Sequence, residues 1–157
     1  MPAAELALID DIRAASRQMV RELGFMEATL AATDYPPSAV HTLLEIGALG
    51  PMTAVQLAEF LHLEKSSVSR MVRRLIERGE LRETSDVEDA RIKPLSLTAK
   101  GRRTLATIQD FARRQVSGAL GLLTETERRV VHEGLVIYAR ALRADRITET
   151  QSVHPVA

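Results

Sequence analysis

Between Lys65 and Arg74 the chain sets three serines among four cations: Lys65, Ser66, Ser67, Ser69, Arg70, Arg73 and Arg74. Val68 and Met71 interleave them at helical spacing, so the polar residues share the outward side of one short helix. Hydroxyls near a helix N-terminus can approach phosphates, and arginines can read guanine edges in the major groove. Such a face suits double-stranded DNA. The plainer alternative is a solvated helix face.

A face of this kind works only if a second element holds it rigidly. Leu57, Leu61 and Leu63, with small Ala58, supply one just upstream, so 54–73 reads as two helices joined by a tight turn at a steep angle. That is the helix-turn-helix, whose second helix enters the groove. Gly79 suits a left-handed cap for the second helix. Two extended segments follow, 81–85 and 92–98, around the polar tip Asp86-Val87-Glu88-Asp89-Ala90-Arg91. Two strands behind a recognition helix make a wing. A cation at the tip, Arg91 with Lys93 beside it, can enter the minor groove. Asp86 or Asp89 is expected to orient an arginine or the turn backbone, because a free carboxylate there would repel phosphate. Pro94 cannot donate to a ladder, which makes its strand an edge at that point.

The flanks read as long helices. Ile9, Ile12, Ser16, Met19, Leu23, Met26 and Leu30 form a heptad-like stripe on a helix expected from about Ala3 to Thr33. A small core cannot cover so long a stripe, which favours a partner subunit. Asp10, Asp11, Arg13 and Arg17 read as a solvated or intersubunit face. A second helix is expected over 38–49, with Ser38 as N-cap and Gly50-Pro51 as terminator. Thr98 can cap a helix over about 99–122, and Thr124-x-x-Glu127 is a capping box for a last helix ending near Ile147. Residues 148–157 have no periodicity and are expected to be a disordered tail.

Composition narrows the function classes. Lys plus Arg and Asp plus Glu are both 21, but residues 64–103 hold 11 basic and 7 acidic side chains while residues 1–63 hold 3 and 8. Local charge at the binding face matters more than the mean. Cysteine is absent, which removes thiolate metal sites, and the four histidines are too scattered to suggest a metal site. No cofactor is expected. There is no phosphate-binding glycine loop and no nucleophile elbow, so the chain does not read as an enzyme. No apolar run spans a membrane and no signal-peptide pattern opens the chain, which reads as cytoplasmic.

The order of parts resembles the MarR (multiple antibiotic resistance regulator) family of winged-helix transcription regulators. The segment 57–83, LAEFLHLEKSSVSRMVRRLIERGELRE, is similar to its recognition segment. Asp86, Asp89, Arg91, Leu97, Thr98 and Gly101 match its wing pattern Asp-x-x-Asp-x-Arg followed by Leu-Thr-x-x-Gly. The resemblance implies an all-α fold with a two-stranded β wing. It implies a winged helix over 36–98 and a dimerisation lobe from 1–35 and 99–147. It further implies a homodimer on a pseudo-palindromic operator, more often a repressor, released when a small ligand binds between the lobes. Ser66, Ser67, Ser69, Arg70, Arg73 and Arg74 would face the major groove, and Arg91 would be the wing residue. Tyr35 and His41 lie where a ligand could touch, although packing is the plainer role. Two residues depart from the pattern. His62 stands where glycine is usual at a left-handed turn, and histidine is enriched among the residues that tolerate it. Ala90 stands at a wing position that is often basic, which weakens minor-groove contact. Two other readings remain: the regulatory half of a longer acetyltransferase, and a winged helix used for protein contacts, which predicts no salt-dependent duplex binding.

Overall fold

The computed structural model describes residues 1–85, 88, 89 and 91–153, the last three by backbone alone. The elements are α1 (Ala3–Glu22), α2 (Pro37–Leu49), α3 (Ala54–Leu61), α4 (Lys65–Glu77), β1 (Leu81–Glu83), β2 (Leu95–Leu97), α5 (Ala99–Leu120) and α6 (Glu125–Val153). The expected class forms: helices with one two-stranded antiparallel sheet. The chain divides into two compact units, Met1–Ala112 and the segment from Arg113 onward.

The core of the first unit explains how α4 is held. Val68 and Leu75 point inward from α4 and meet Leu43 and Ile46 of α2, Leu57 of α3, Leu81 and Leu95 of the strands and Ile108 of α5. Each such aliphatic side chain contributes about 2 kcal/mol when removed from water. Thr53 and Gln56 close a reciprocal capping box on α3. His62 ends α3 in the left-handed region at φ 55°, as its place in the turn requires. Gly79, at φ 75°, turns the chain out of α4. α2 starts at Pro37 with Pro36 as N-cap and no side-chain cap bond, so Ser38 lies inside the helix and is not the N-cap expected. Proline suits the first helical position because the N–H it lacks would have no partner there.

The wing strands are shorter than expected, three residues each, pairing Leu81 with Leu97, Arg82 with Ser96 and Glu83 with Leu95. Pro94 lies outside β2, and its carbonyl accepts from Thr84 N–H at 2.8 Å. The other side of β2 is closed by Met52, whose N–H and C=O both bond Leu95. Thr98 caps α5 by accepting from Gly101 N–H at 3.0 Å. Gly101 is required there: a Cβ would stand 2.1 Å from the Glu80 carbonyl oxygen.

The first helix is shorter than its stripe suggests. α1 stops at Glu22, where Gly24 at φ 82° and the bonds Phe25 N–H to Val20 C=O and Gly24 N–H to Arg21 C=O build a Schellman cap. Met26 therefore falls outside the helix, and Leu30 reaches the core from a loop. That loop places two alanines, Ala31 and Ala32, in the left-handed region at φ 56° and 55°. Each costs about 1 kcal/mol. Reciprocal tethers hold it: Leu30 N–H bonds Tyr35 C=O at 2.9 Å, and Thr33 Oγ1 donates to Leu30 C=O at 2.6 Å.

The second unit is the end of α5 and α6. Thr124 N–H donates to Glu127 at 2.7 Å, which holds that carboxyl below the ordinary carboxylate range, and Glu127 N–H returns a bond to Thr124 Oγ1. α6 continues to Val153, so residues 148–153 correct the expected disordered tail. Nothing in the stretch breaks a helix, and the Thr148 and Thr150 hydroxyls bond the carbonyls one turn back. Residues 154–157 lie outside the described residues. Among the described residues no helix is long and apolar enough to cross a membrane, and no cluster of side chains could hold a metal ion.

Candidate nucleic-acid interface

α4 separates its side chains cleanly. Val68, Val72 and Leu75 are buried, while Lys65, Ser66, Ser69, Arg70, Arg73 and Arg74 are exposed. Ser66, Arg70 and Arg73 project most directly away from the buried stripe, as 100° per residue dictates. The sequence reading brought these residues to one face, and the structure keeps them there. Ser67 differs. It is half-buried and lines a cleft between α4 and the start of α2. Arg70 Nη2 donates to Ser67 Oγ at 3.4 Å. Neither Arg70 nor Arg74 pairs with a carboxylate among the described residues.

The wing tip is braced by Asp89. Its Oδ1 accepts from Arg91 N–H at 2.9 Å and from Arg91 Nε at 3.4 Å. The carboxylate thus fixes the turn backbone and loosely restrains a guanidinium that stays 93% exposed. Lys93 Nζ lies 3.8 Å from Glu83 across the wing. Asp86 and Ala90 lie outside the described residues.

Behind α4 sits a polar cluster that no sequence pattern announced. Glu80 is 2% exposed, and its Oε1 accepts from the Tyr35 hydroxyl at 2.7 Å. Lys100 Nζ stands 3.6 Å from the same oxygen and donates to Arg78 C=O at 2.6 Å. Glu80 Oε2 has no hydrogen-bond partner among the described residues. Arg78 pairs with Asp34 and lies over the Tyr35 ring, 4.5 Å from its centre. The guanidinium bond holds the Asp34 carboxyl below its ordinary range. Burial, and then the bond to Glu80, push the Tyr35 phenol up to about 12. Glu80 follows a helix cap, where an acidic residue reads as solvated, and only the fold buries it.

The two residues noted for ligand contact are not brought together. Tyr35 lines the α2–α4 cleft, but its hydroxyl is committed to Glu80. His41 does not line that cleft; it stacks on Phe25, ring centres 5.5 Å apart.

This arrangement of recognition helix and wing recurs in known proteins. Residues 33–92 match the model of the MarR family. A solved structure titled MarR is 25% identical, covers 93% of this chain and 94% of its own, and superposes with a TM-score of 0.64. Over residues 33–92 the chain is similar to the MarR family. A probable transcriptional regulator from Pseudomonas aeruginosa is 26% identical over 83% of this chain and 98% of its own, with a TM-score of 0.66. FabT of Streptococcus pneumoniae, solved in complex with DNA, is 22% identical over 88% of this chain and 98% of its own, with a TM-score of 0.73. No curated protein sequence matches the chain. The MarR-family match covers the helix-turn-helix, most of the wing and the Tyr35 loop, so the outward α4 residues and Arg91 all fall inside it.

Proposed function

We propose that this chain is a homodimeric, sequence-specific DNA-binding transcription regulator, a repressor released by a small ligand, acting in the cytoplasm without enzymatic activity. The observation that carries the reading is the outward face of α4. Ser66, Ser69, Arg70, Arg73 and Arg74 stand exposed, while Val68, Val72 and Leu75 lock the helix from behind. In the major groove, Arg70 and Arg73 would read guanine edges, Ser66, Ser69 and Arg74 would meet phosphates, and Lys65 would flank them. Arg91, with Lys93, would reach the minor groove from the braced wing. The FabT–DNA complex shares this fold and supports the reading.

Dimerisation rests on bare helices. α1 buries no residue, and its Ile9, Ile12 and Met19 stay exposed along one stripe. α6 exposes Val131, Leu135, Tyr138 and Leu142 at helical spacing. A second copy covering these stripes would set two recognition helices about 34 Å apart, one turn of DNA. A ligand that favours another separation by about 3 kcal/mol would weaken operator binding roughly 100-fold.

Fluorescence anisotropy of a labelled duplex across a salt series tests the proposal. Affinity should fall steeply with salt, and Arg73→Ala should weaken binding about 10- to 100-fold with the dimer intact. Unchanged affinity in Arg73→Ala would remove that residue from the interface, and a duplex that never binds would refute the reading.

A further inference from the structure

The loop from Leu30 to Tyr35, between α1 and α2, is pulled two ways. Its backbone resists the folded position: Ala31 and Ala32 in succession take the left-handed region, at φ 56° and 55°, where a Cβ is crowded. Glu80 resists it as well. That carboxylate is 2% exposed, and its Oε2 has no hydrogen-bond partner among the described residues. A buried carboxylate oxygen without a partner favours any arrangement that readmits water.

Opposing terms hold the loop down. The Tyr35 hydroxyl donates to Glu80 Oε1 at 2.7 Å. Leu30 N–H bonds Tyr35 C=O at 2.9 Å, and Thr33 N–H bonds Leu30 C=O at 3.1 Å. Ala31 and Tyr35 are buried. Asp34 pairs with Arg78, but both side chains are exposed to solvent, so that pair adds little. The bond to Glu80 is the strongest fastener, because its acceptor is charged. Lys100 completes the cluster from α5. Its Nζ stands 3.6 Å from Glu80 Oε1 and donates to the carbonyl of Arg78, the C-cap of α4.

We infer that residues 30–35 form a strained latch, closed by the Tyr35–Glu80 bond over a buried charge, which opens locally while the core beneath stays folded. Opening takes Ala31 and Tyr35 out of the core, with Leu30 at its edge, and leaves Val40, Leu43, Leu57, Leu75 and Leu81 in place. The two alanines then relax, and water reaches both oxygens of Glu80. The closed and open states differ in whether the end of α4 is tied to the α1 side of the chain. The latch does not depend on the DNA-binding reading.

Hydrogen exchange of the full chain, followed amide by amide, tests the latch. In the parent chain the Leu30 and Thr33 amides should be protected, yet exchange faster than the Leu43 and Leu75 amides of the core helices. Low urea should accelerate the core amides and leave the loop amides nearly unchanged, because local opening exposes little surface. Tyr35→Phe should accelerate the loop amides by about tenfold or more. Lys100→Met, which leaves the buried carboxylate without its cation, should accelerate them too, and adding Glu80→Gln should reverse most of that gain. Loop amides that follow the core amides in urea, or that are unprotected in the parent chain, would overturn the latch. Indifference to Tyr35→Phe would remove the bond as its fastener. A Lys100→Met effect that Glu80→Gln does not reverse would remove the buried charge from the balance.

Discussion

The winged segment and the terminal helices solve the burial problem in opposite ways. From Ala31 to Ile108 the chain supplies its own core, and each of α2, α3, α4, α5 and the two strands places at least one buried aliphatic in it. α1 buries nothing, and the large aliphatics of α6 are 41–63% exposed. The segment proposed to read DNA carries its own packed core, which positions a groove-reading element. The terminal helices are incomplete alone, as elements that mate with a second copy must be. In the proposed homodimer, the recognition geometry would thus be held separately from the contact that sets recognition-helix spacing.

The sharpest way to break this contrast is from the core side. Leu75→Ala empties a site that is 1% exposed on the inner face of α4. It should cost about 3 kcal/mol in a chemical denaturation curve. A cost below about 1 kcal/mol would mean that α4 is not anchored through its core contacts. From the other side, Leu135→Glu puts a charge on the α6 stripe, where the side chain is 45% exposed in the single chain. Helix content should hold while self-association weakens about 100-fold, roughly 2.7 kcal/mol, by sedimentation equilibrium. Unchanged association would remove α6 from the interface.

Smaller effects separate the loop that joins the two kinds of region. Ala32 is exposed and left-handed at φ 55°, so Ala32→Gly should stabilise the chain by about 1 kcal/mol in thermal denaturation. A loss would show that the alanine restrains the unfolded chain more than it strains the fold. Tyr35 gives the smallest signal near neutral pH. Its folded pKa of about 12 lies above the ordinary 10.0, so the fold favours the neutral phenol. That contribution is complete below pH 10 and is lost as pH rises from 10 to 12. Tyr138→Phe leaves Tyr35 as the single tyrosine of the two. Its phenolate absorbance should then appear near 12, and earlier once Glu80→Gln removes the carboxylate. An ordinary phenol titration would dissolve the Tyr35–Glu80 bond.

Local signals were legible in the sequence, and distant ones were not. The Thr98 cap, the Thr124–Glu127 box, the left-handed His62 and the polar face of α4 each depend on residues within a few positions of one another. Asp89 bracing Arg91 is equally local. The heptad reading overran Gly24 because Met26 and Leu30 keep the apolar spacing after the helix has ended. Alanine carries no mark of the left-handed conformation that Ala31 and Ala32 adopt. Met52 pairing with Leu95, and Glu80 receiving Tyr35, join residues more than 40 positions apart. Their pairing is set by the packed core, not by any periodicity.

Selection of genomic fragments by the purified full chain at about 150 mM salt, followed by sequencing, tests the central claim most directly. The account predicts enrichment of a pseudo-palindrome whose half-sites lie about one helical turn apart, lost in Leu135→Glu and in Arg73→Ala. Recovery of fragments with no shared sequence, or of none, would contradict it.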